Sequence, residues 1–362
     1  MPPVRHAVID VGTNSVKLLV AEVEGWIVRP VWEEGNQTRL GEGFYATHRL
    51  QPPAIARTAR AVAKFVEKAR FHHAAGLRVI ATSAARDAVN QAELLAAVEQ
   101  QADVKLEVIT GEQEAELTFL GVTTDPVLVN QRLLIVDVGG GSTEFILGEG
   151  DHRTFQRSFS IGAVRLLESF KPGDPPNSAD LQECRNWVRH FIDVEVCSVL
   201  APALASSQSG TRLVGTGGTA AILARMEGAF DDYDRARIES TPLSREALSR
   251  WMDRLWSLPL AERRQIPGLP PERADVILTG AAISEAVTRQ FGFAGLNVST
   301  RGLRFAAVMQ AASSAPSATA PNAGGERLDP ETSRRELRGS ALELDTEFSR
   351  PAGTSEERRT LP

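Results

Sequence analysis

The stretch Leu133-Leu134-Ile135-Val136-Asp137-Val138-Gly139-Gly140-Gly141-Ser142-Thr143-Glu144-Phe145-Ile146-Leu147-Gly148 decides the fold. An apolar run ends in an aspartate, turns through three glycines and a serine, and resumes as an apolar run. This is the pattern of two antiparallel strands joined by a tight turn. With the turn at Gly139–Ser142, Val138 faces Thr143 and Asp137 faces Glu144. Facing Cβ atoms in such a pair lie about 4.5–5.5 Å apart, so the two carboxylates repel unless a cation sits between them. The glycines let backbone N–H groups approach an anion with no Cβ in the way. A phosphate cradle beside a divalent cation accounts for both features. The plain alternative is a Gly-rich hairpin with solvated acids.

The pattern occurs twice. Val8-Ile9-Asp10-Val11-Gly12-Thr13-Asn14-Ser15-Val16-Lys17-Leu18-Leu19-Val20 aligns on it without gaps, with Asp10 on Asp137, Gly12 on Gly139, Ser15 on Ser142 and Lys17 on Glu144. So wide a repeat marks a duplicated α/β domain, not a short-period solenoid. In the first copy Asp10 faces Lys17, and the two can compensate each other; Lys17 reads equally as a solvated strand lysine. Only the second copy opposes two acids, so it is expected to hold a metal more tightly.

Outward from these hairpins, strands and helices alternate. Pro52-Pro53 opens a helix through Ala54–Arg70, with Ala59, Val62, Ala63 and Val66 at helical spacing. Val79–Ala81 and Leu106–Ile109 read as short strands around an Ala- and Leu-rich helix. Thr110 with Gln113 forms a capping box, so a helix begins where the second of these strands ends. Glu112, Glu114 and Glu116 near its start complement the helix dipole. Leu213-Val214-Gly215-Thr216-Gly217-Gly218-Thr219-Ala220 reads as strand, glycine loop and helix start, which suits an anion, although a tight turn explains it as well. Ser178–Leu200, Ser244–Trp256, Glu272–Phe291 and Gly302–Met309 read as further helices. The fold class is α/β, with lobes over residues 1–125 and 126–310 and a cleft between them. Residues 311–362 shift to Ala, Ser, Pro and scattered charge, and are expected to be a mostly disordered tail with a short helix near Arg334–Leu344.

Forty Lys and Arg against 46 Asp and Glu give a net charge of −6, which excludes nucleic-acid binding through a broad basic face. A phosphate site must therefore make its positive potential locally. Cys184 and Cys197 lie in no zinc or CxxC spacing and read as thiols in a reducing compartment. No apolar run approaches the ~18 residues of a membrane span. The chain starts directly in a strand with no leader pattern, so a cytoplasmic protein is expected.

Two DxG hairpins, a strand–Gly loop–helix and a capped acidic helix are together far more specific than any one of them. The combination resembles the actin-like, sugar-kinase and Hsp70 superfamily, whose two ribonuclease H-like lobes enclose a cleft. Within it, Val8–Ser15, Ala81-Thr82-Ser83-Ala84-Ala85-Arg86, Thr110-Gly111-Glu112-Gln113-Glu114-Ala115, Asp137–Glu144 and Gly215–Thr219 resemble the exopolyphosphatase and guanosine pentaphosphate phosphatase family. The match runs in the family's order from about Val4 to Met309. The resemblance implies an enzyme, in a homodimer, that removes terminal phosphate from inorganic polyphosphate with Mg²⁺ or another divalent ion. By motif position Glu114 matches the general base. Arg86 matches a phosphate clamp, its other reading being a helix-start arginine paired with Asp87. Asp137, Glu144 and Asp10 match metal-associated acids. Asn14, Ser15, Gly139, Gly140, Gly141, Ser142, Gly217, Gly218 and Thr219 match phosphate-binding positions.

The sequence departs from the family in three places. Gln113-Glu114 stands where many members have adjacent glutamates. Ser299–Phe305 only approximates the usual acidic, glycine-containing end of the core. About fifty low-complexity residues stand where long members carry a C-terminal helical domain. Hydrolysis of guanosine pentaphosphate is the sister reading in the same fold. A superfamily ATPase or kinase, or a non-catalytic phosphate or nucleotide sensor, are readings from other classes.

Overall fold

Residues 3–205 and 210–314 are described by the computed structural model. Of the tail expected over residues 311–362, residues 311–314 are instead the end of a helix, and the rest, including its expected short helix, lies outside the described residues. The two aspartate hairpins each seed one sheet. β1 (Arg5–Val11), β2 (Val16–Glu24) and β3 (Ile27–Asn36) run antiparallel. α1 (Pro52–Phe71), with prolines where no amide partner is needed, leads to β4 (Ala74–Ala81), which lies parallel to β1. α2 (Ser83–Arg86) and α3 (Gln91–Ala102) precede the short β5 (Glu107–Val108), and the sheet order is β3-β2-β1-β4-β5. α4 (Gly111–Val122) follows, capped reciprocally by Thr110 and Gln113 as the sequence predicts.

The second half repeats this plan. β6 (Arg132–Val138), β7 (Thr143–Glu149) and β8 (His152–Phe159) form the meander. α5 (Ala163–Phe170), α6 (Ser178–Phe191) and α7 (Ser198–Ala205) come next, the last two joined by a π-helical segment, Ile192–Cys197, inside the single helix read from sequence. β9 (Arg212–Thr216) lies parallel to β6, and α8 (Gly217–Gly228) and α9 (Arg235–Ser240) follow it. After β10 (Leu243–Ser244) come α10 (Arg245–Ser257), α11 (Leu260–Arg263) and α12 (Ile277–Gln290). α12 starts later than the sequence reading has it, because Pro270-Pro271 sets a 3₁₀ turn, Pro271–Arg273, ahead of it. β11 (Gly295–Val298) and α13 (Leu303–Ser314) complete the fold. The order β10-β11-β9-β6-β7-β8 contains the first sheet's plan, β8-β7-β6-β9-β11 corresponding to β3-β2-β1-β4-β5. Duplication is thus visible in the topology, and β10 is the addition.

Two helices bind the halves together. α4 sets Ala115, Phe119 and Val122 against Leu133, Ile135, Ile146 and Val214 of the second sheet. α13 sets Leu303, Phe305, Ala307 and Val308 against Val8, Leu19 and Ile80 of the first sheet. The crossing is close: Gly121 of α4 lies against the Gly302 backbone, which a Cβ there would strike.

Candidate active site

Both hairpins end at the cleft, and their register places the acids. Asp10 pairs with Lys17, Asp137 with Glu144 and Val138 with Thr143. Each turn is closed by one hydrogen bond of 3.0 Å, Gly12 N–H to Ser15 O and Gly139 N–H to Ser142 O. The Gly139 and Gly140 carbonyls accept from the first amides of α5, Ala163 at 2.9 Å and Val164 at 2.8 Å. That fixes the glycine loop from below. From the first half, Thr13, Ser83 and Tyr45 close on the same loop. A Cβ on Gly140 would lie 2.9 Å from the Thr13 Cβ, and one on Gly141 would strike the Tyr45 hydroxyl and Ser83 Oγ. Only glycine allows this approach.

The turns enclose an inner cavity of about 90 Å³, lined by both hairpins, Ser83, Glu114 and the Gly217-Gly218 start of α8. It adjoins an outer cavity of about 370 Å³ between the lobes. Asp10, Lys17, Asp137, Gly218 and Arg273 line both. Interlobe contacts flank the cleft: Arg39 with Asp275 at 2.6 Å, Arg165 with Asp87 at 2.9 Å, and Gly43 N–H donating to Glu168 at 2.6 Å.

Four acids, Asp10, Glu114, Asp137 and Glu144, face two bases, Lys17 and Arg273, in the inner cavity. Burial is the main reason their acidities shift. The Asp137 carboxyl is pushed up to about 6, with Asp10 adding to the shift and Lys17 opposing it. Glu144 is pushed up to about 7 by burial and then by Asp137, against hydrogen bonds from Ser158 and Ser142. Glu114 is raised well above the usual carboxylate range by burial and by Glu144, while Arg86 opposes. Asp10 is raised by burial, and its Oδ1 is buried with no hydrogen-bond partner among the described residues.

The structure brings together Asn14, Ser15, Gly139, Gly140, Gly141, Ser142, Gly217, Gly218, Glu114, Asp137, Glu144 and Asp10 around the inner cavity. Two expected residues differ. Thr219 lines neither cavity; its buried hydroxyl donates to the Val138 carbonyl at 3.0 Å and so ties α8 to the hairpin. Arg86 lines neither cavity either. Its guanidinium donates to Glu114 at 3.0 Å and to the Ile109 carbonyl at 3.2 Å, with Asp87 at 3.8 Å, so it grips Glu114 where the resemblance implies a phosphate clamp. Among the described residues no three acids, histidines or cysteines converge as a ready metal nest. A lysine stands in the first hairpin where the second has a glutamate.

Sequence reasoning missed Ser158, Ser83, Tyr45 and Arg273. Ser158 donates to Glu144 at 2.7 Å from the facing position on β8. The signal existed, since a third meander strand would have placed it opposite Glu144. Arg273 was read as part of a longer helix and carried no signal of its own.

A two-lobed α/β fold with paired glycine turns, a phosphate-sized cavity and a buried carboxylate defines a phosphoryl-handling protein of the actin-like class. The chain matches the Ppx/GppA phosphatase family across residues 19–314 and belongs to it. It is 36% identical over 297 residues to exopolyphosphatase 2 of Mycobacterium tuberculosis, covering 79% of this chain and 90% of that protein. Exopolyphosphatase 1 of Mycobacterium bovis is 28% identical, with 87% and 90% covered. Among solved structures, an exopolyphosphatase from Cytophaga hutchinsonii superposes with a TM-score of 0.75 at 29% identity, covering 83% of this chain and 96% of that one. The Aquifex aeolicus Ppx/GppA enzyme gives 0.69 at 29% identity, covering 85% and 100%.

Proposed function

We propose that this enzyme is an exopolyphosphatase, hydrolysing the terminal anhydride of inorganic polyphosphate. One observation carries the reading: a cavity of about 90 Å³, walled by two glycine turns with Glu114 on its lining, opens on a larger interlobe cavity. The small space suits one terminal phosphoryl group, and the larger one suits the rest of the chain. Glu114 takes a proton from the attacking water. Buried, and raised well above the usual carboxylate range, it is a stronger base than a solvated carboxylate. Arg86 aims it and keeps it from rising further. The N–H groups of Gly140 and Gly141, with Ser142, Asn14 and Ser15, hold the terminal phosphoryl oxygens. Gly217 and Gly218 offer the start of α8 to the next phosphate.

Mg²⁺ fits this donor set. An orphaned Asp10 Oδ1 and an excess of buried acids over bases mark a deficit of positive charge. Mg²⁺ commonly takes one or two carboxylates, with water and substrate phosphate completing the shell, so a three-carboxylate nest is not required. Asp137 and Glu144, with Asp10, are the residues that would hold it. When bound, it neutralises phosphate oxygens and stabilises charge in the reacting anhydride.

Ile222, Pro270 and Tyr233 in the outer cavity favour a second reading, hydrolysis of the 5′-phosphate of guanosine pentaphosphate, because they offer an apolar wall for a base. Phosphate release from polyphosphates of defined length, guanosine pentaphosphate and ATP, each with Mg²⁺, decides between the two. Turnover of polyphosphate at least tenfold above the nucleotides is the expected result. Release from the nucleotides alone would replace the first reading by the second.

A further inference from the structure

The start of α5 sets the shape of the glycine loop, and Arg165 completes that control from outside the cavity. Three successive carbonyls of the loop are turned toward α5. Gly139 O accepts from the Ala163 amide at 2.9 Å, and Gly140 O accepts from the Val164 and Arg165 amides at 2.8 and 3.0 Å. Gly141 O accepts instead from a side chain, Arg165 Nε at 2.8 Å. A trans peptide sets its C=O and N–H on opposite sides. The amides that follow these carbonyls, those of Gly140, Gly141 and Ser142, therefore point away from α5. None of the three has an acceptor among the described residues. The loop lines the inner cavity and α5 lines neither cavity, so these N–H groups face the space assigned to the terminal phosphate. The guanidinium that holds Gly141 is itself fixed from the first half. Its Nη2 donates to Asp87 at 2.9 Å, and its carbon stands 4.4 Å from the centre of the Tyr45 ring. One peptide of the cradle is thus aimed by a side chain, where its two neighbours are aimed by helix backbone.

We propose that Arg165 is a positioning residue, which turns the Gly141–Ser142 peptide so that the Ser142 N–H donates to the terminal phosphoryl group. The inference rests on the exopolyphosphatase reading and adds to it a residue that lines neither cavity. Without the Nε–H donor, the Gly141 carbonyl has no partner on α5. Glycine at this point lets the peptide rotate at little steric cost. The carbonyl can then swing toward the cavity and present its partial negative charge to an anion. The loss is double: a donor goes, and a repelling dipole takes its place. Lysine carries one point charge and cannot reproduce a fork that meets the Gly141 carbonyl through Nε and Asp87 through Nη2. An N–H set in advance costs no reorganisation as charge builds on the phosphoryl oxygens, so affinity and turnover fall together when it is lost.

The sequence supplies a reporter for this one peptide. Only two Gly-Ser pairs occur in the chain, Gly141-Ser142 and Gly339-Ser340. Full chain made by cell-free synthesis, isotope-labelled at the glycine carbonyl carbon and the serine nitrogen, therefore gives two signals in a carbonyl-correlated amide spectrum, and Ser340→Ala identifies the second. With Mg²⁺ present, orthophosphate should move the wild-type Ser142 amide proton downfield, as donation to an anion does. In Arg165→Gln and Arg165→Lys that movement should be lost. Losing one hydrogen bond to a charged group weakens binding by about 10- to 10²-fold. Orthophosphate affinity by calorimetry, and kcat/KM on tripolyphosphate, should both fall by that factor. Glu168→Gln cuts a separate tie of α5 to the first half, the Gly43 and Tyr45 amides, and leaves the Gly141 carbonyl held. There the signal should still move, with orthophosphate affinity within about threefold of wild type. A wild-type Ser142 signal that orthophosphate leaves in place overturns the proposal. So does an Arg165→Lys protein that behaves as wild type, or a Glu168→Gln protein that loses the movement as Arg165→Gln does. Lys keeps the charge and reports if Gln fails to fold. A wild type whose signal moves but which releases no phosphate from any polyphosphate sinks the functional reading alone, and the place of Arg165 stands.

Discussion

At the scale of single residues, the site is a contest between burial and charge. Glu114 sits where burial and Glu144 hold its proton on, and Arg86 at 3.0 Å is the main group pulling it off. Activity as a base requires the ionised form, so kcat/KM should rise with pH as Glu114 deprotonates. Arg86→Gln removes the cation that holds the Glu114 pKa down. The acidic limb of the pH profile is expected to move to higher pH, at saturating Mg²⁺. Glu114→Gln is expected to lose about 10²- to 10⁴-fold in kcat while tripolyphosphate still binds. A limb that stays in place in Arg86→Gln, or a Gln variant near wild-type turnover, would remove Glu114 from its role.

At the scale of elements, the hairpins were readable because a four-residue turn fixes which side chains face each other. Asp137 opposite Glu144 and Asp10 opposite Lys17 follow from spacing alone, and both registers hold. β8 was not readable. Its polar His152, Arg153 and Arg157 mask the alternation, and Ser158 was lost with it. The aim of Arg86 was equally hidden, because sequence placed it beside Asp87 and only the tertiary fold brings Glu114 within reach. The apolar period of α13 shows that one face is buried but not against which sheet, and the helix in fact crosses to the first. That crossing yields a prediction. Gly121 meets the Gly302 carbonyl with no room for a methyl group. Forcing one into a tight contact destabilises by about 1–3 kcal/mol, so Gly121→Ala should lower the midpoint of chemical unfolding accordingly. An unchanged midpoint would mean that the two helices are not in contact there.

At the scale of the molecule, a net negative protein encloses a net negative cavity, and folding must hold those acids together. Asp137 rises from 3.8 to about 6 and Glu144 from 4.5 to about 7, with Asp10 and Glu114 shifted the same way. A carboxyl whose acidity is weakened by folding binds more protons in the native than in the unfolded state, so stability falls as pH rises through that window. With chelator present, the protein should therefore lose stability from these groups between about pH 4 and pH 7. His6 and His72, whose protonation burial opposes, act in the reverse sense below their usual range, so the comparison must isolate the acids. Glu144→Gln does so. The melting temperature of the wild type minus that of the variant should be more negative at pH 8 than at pH 5. If the proposed placement of Mg²⁺ on these acids holds, the ion should shrink the gap at pH 8 by stabilising the native wild type; at a hundredfold excess over its dissociation constant this amounts to about 2.7 kcal/mol. A gap that is constant with pH would show that Glu144 keeps an ordinary acidity. A gap that Mg²⁺ leaves untouched would show that the ion, if it binds, does so away from Glu144.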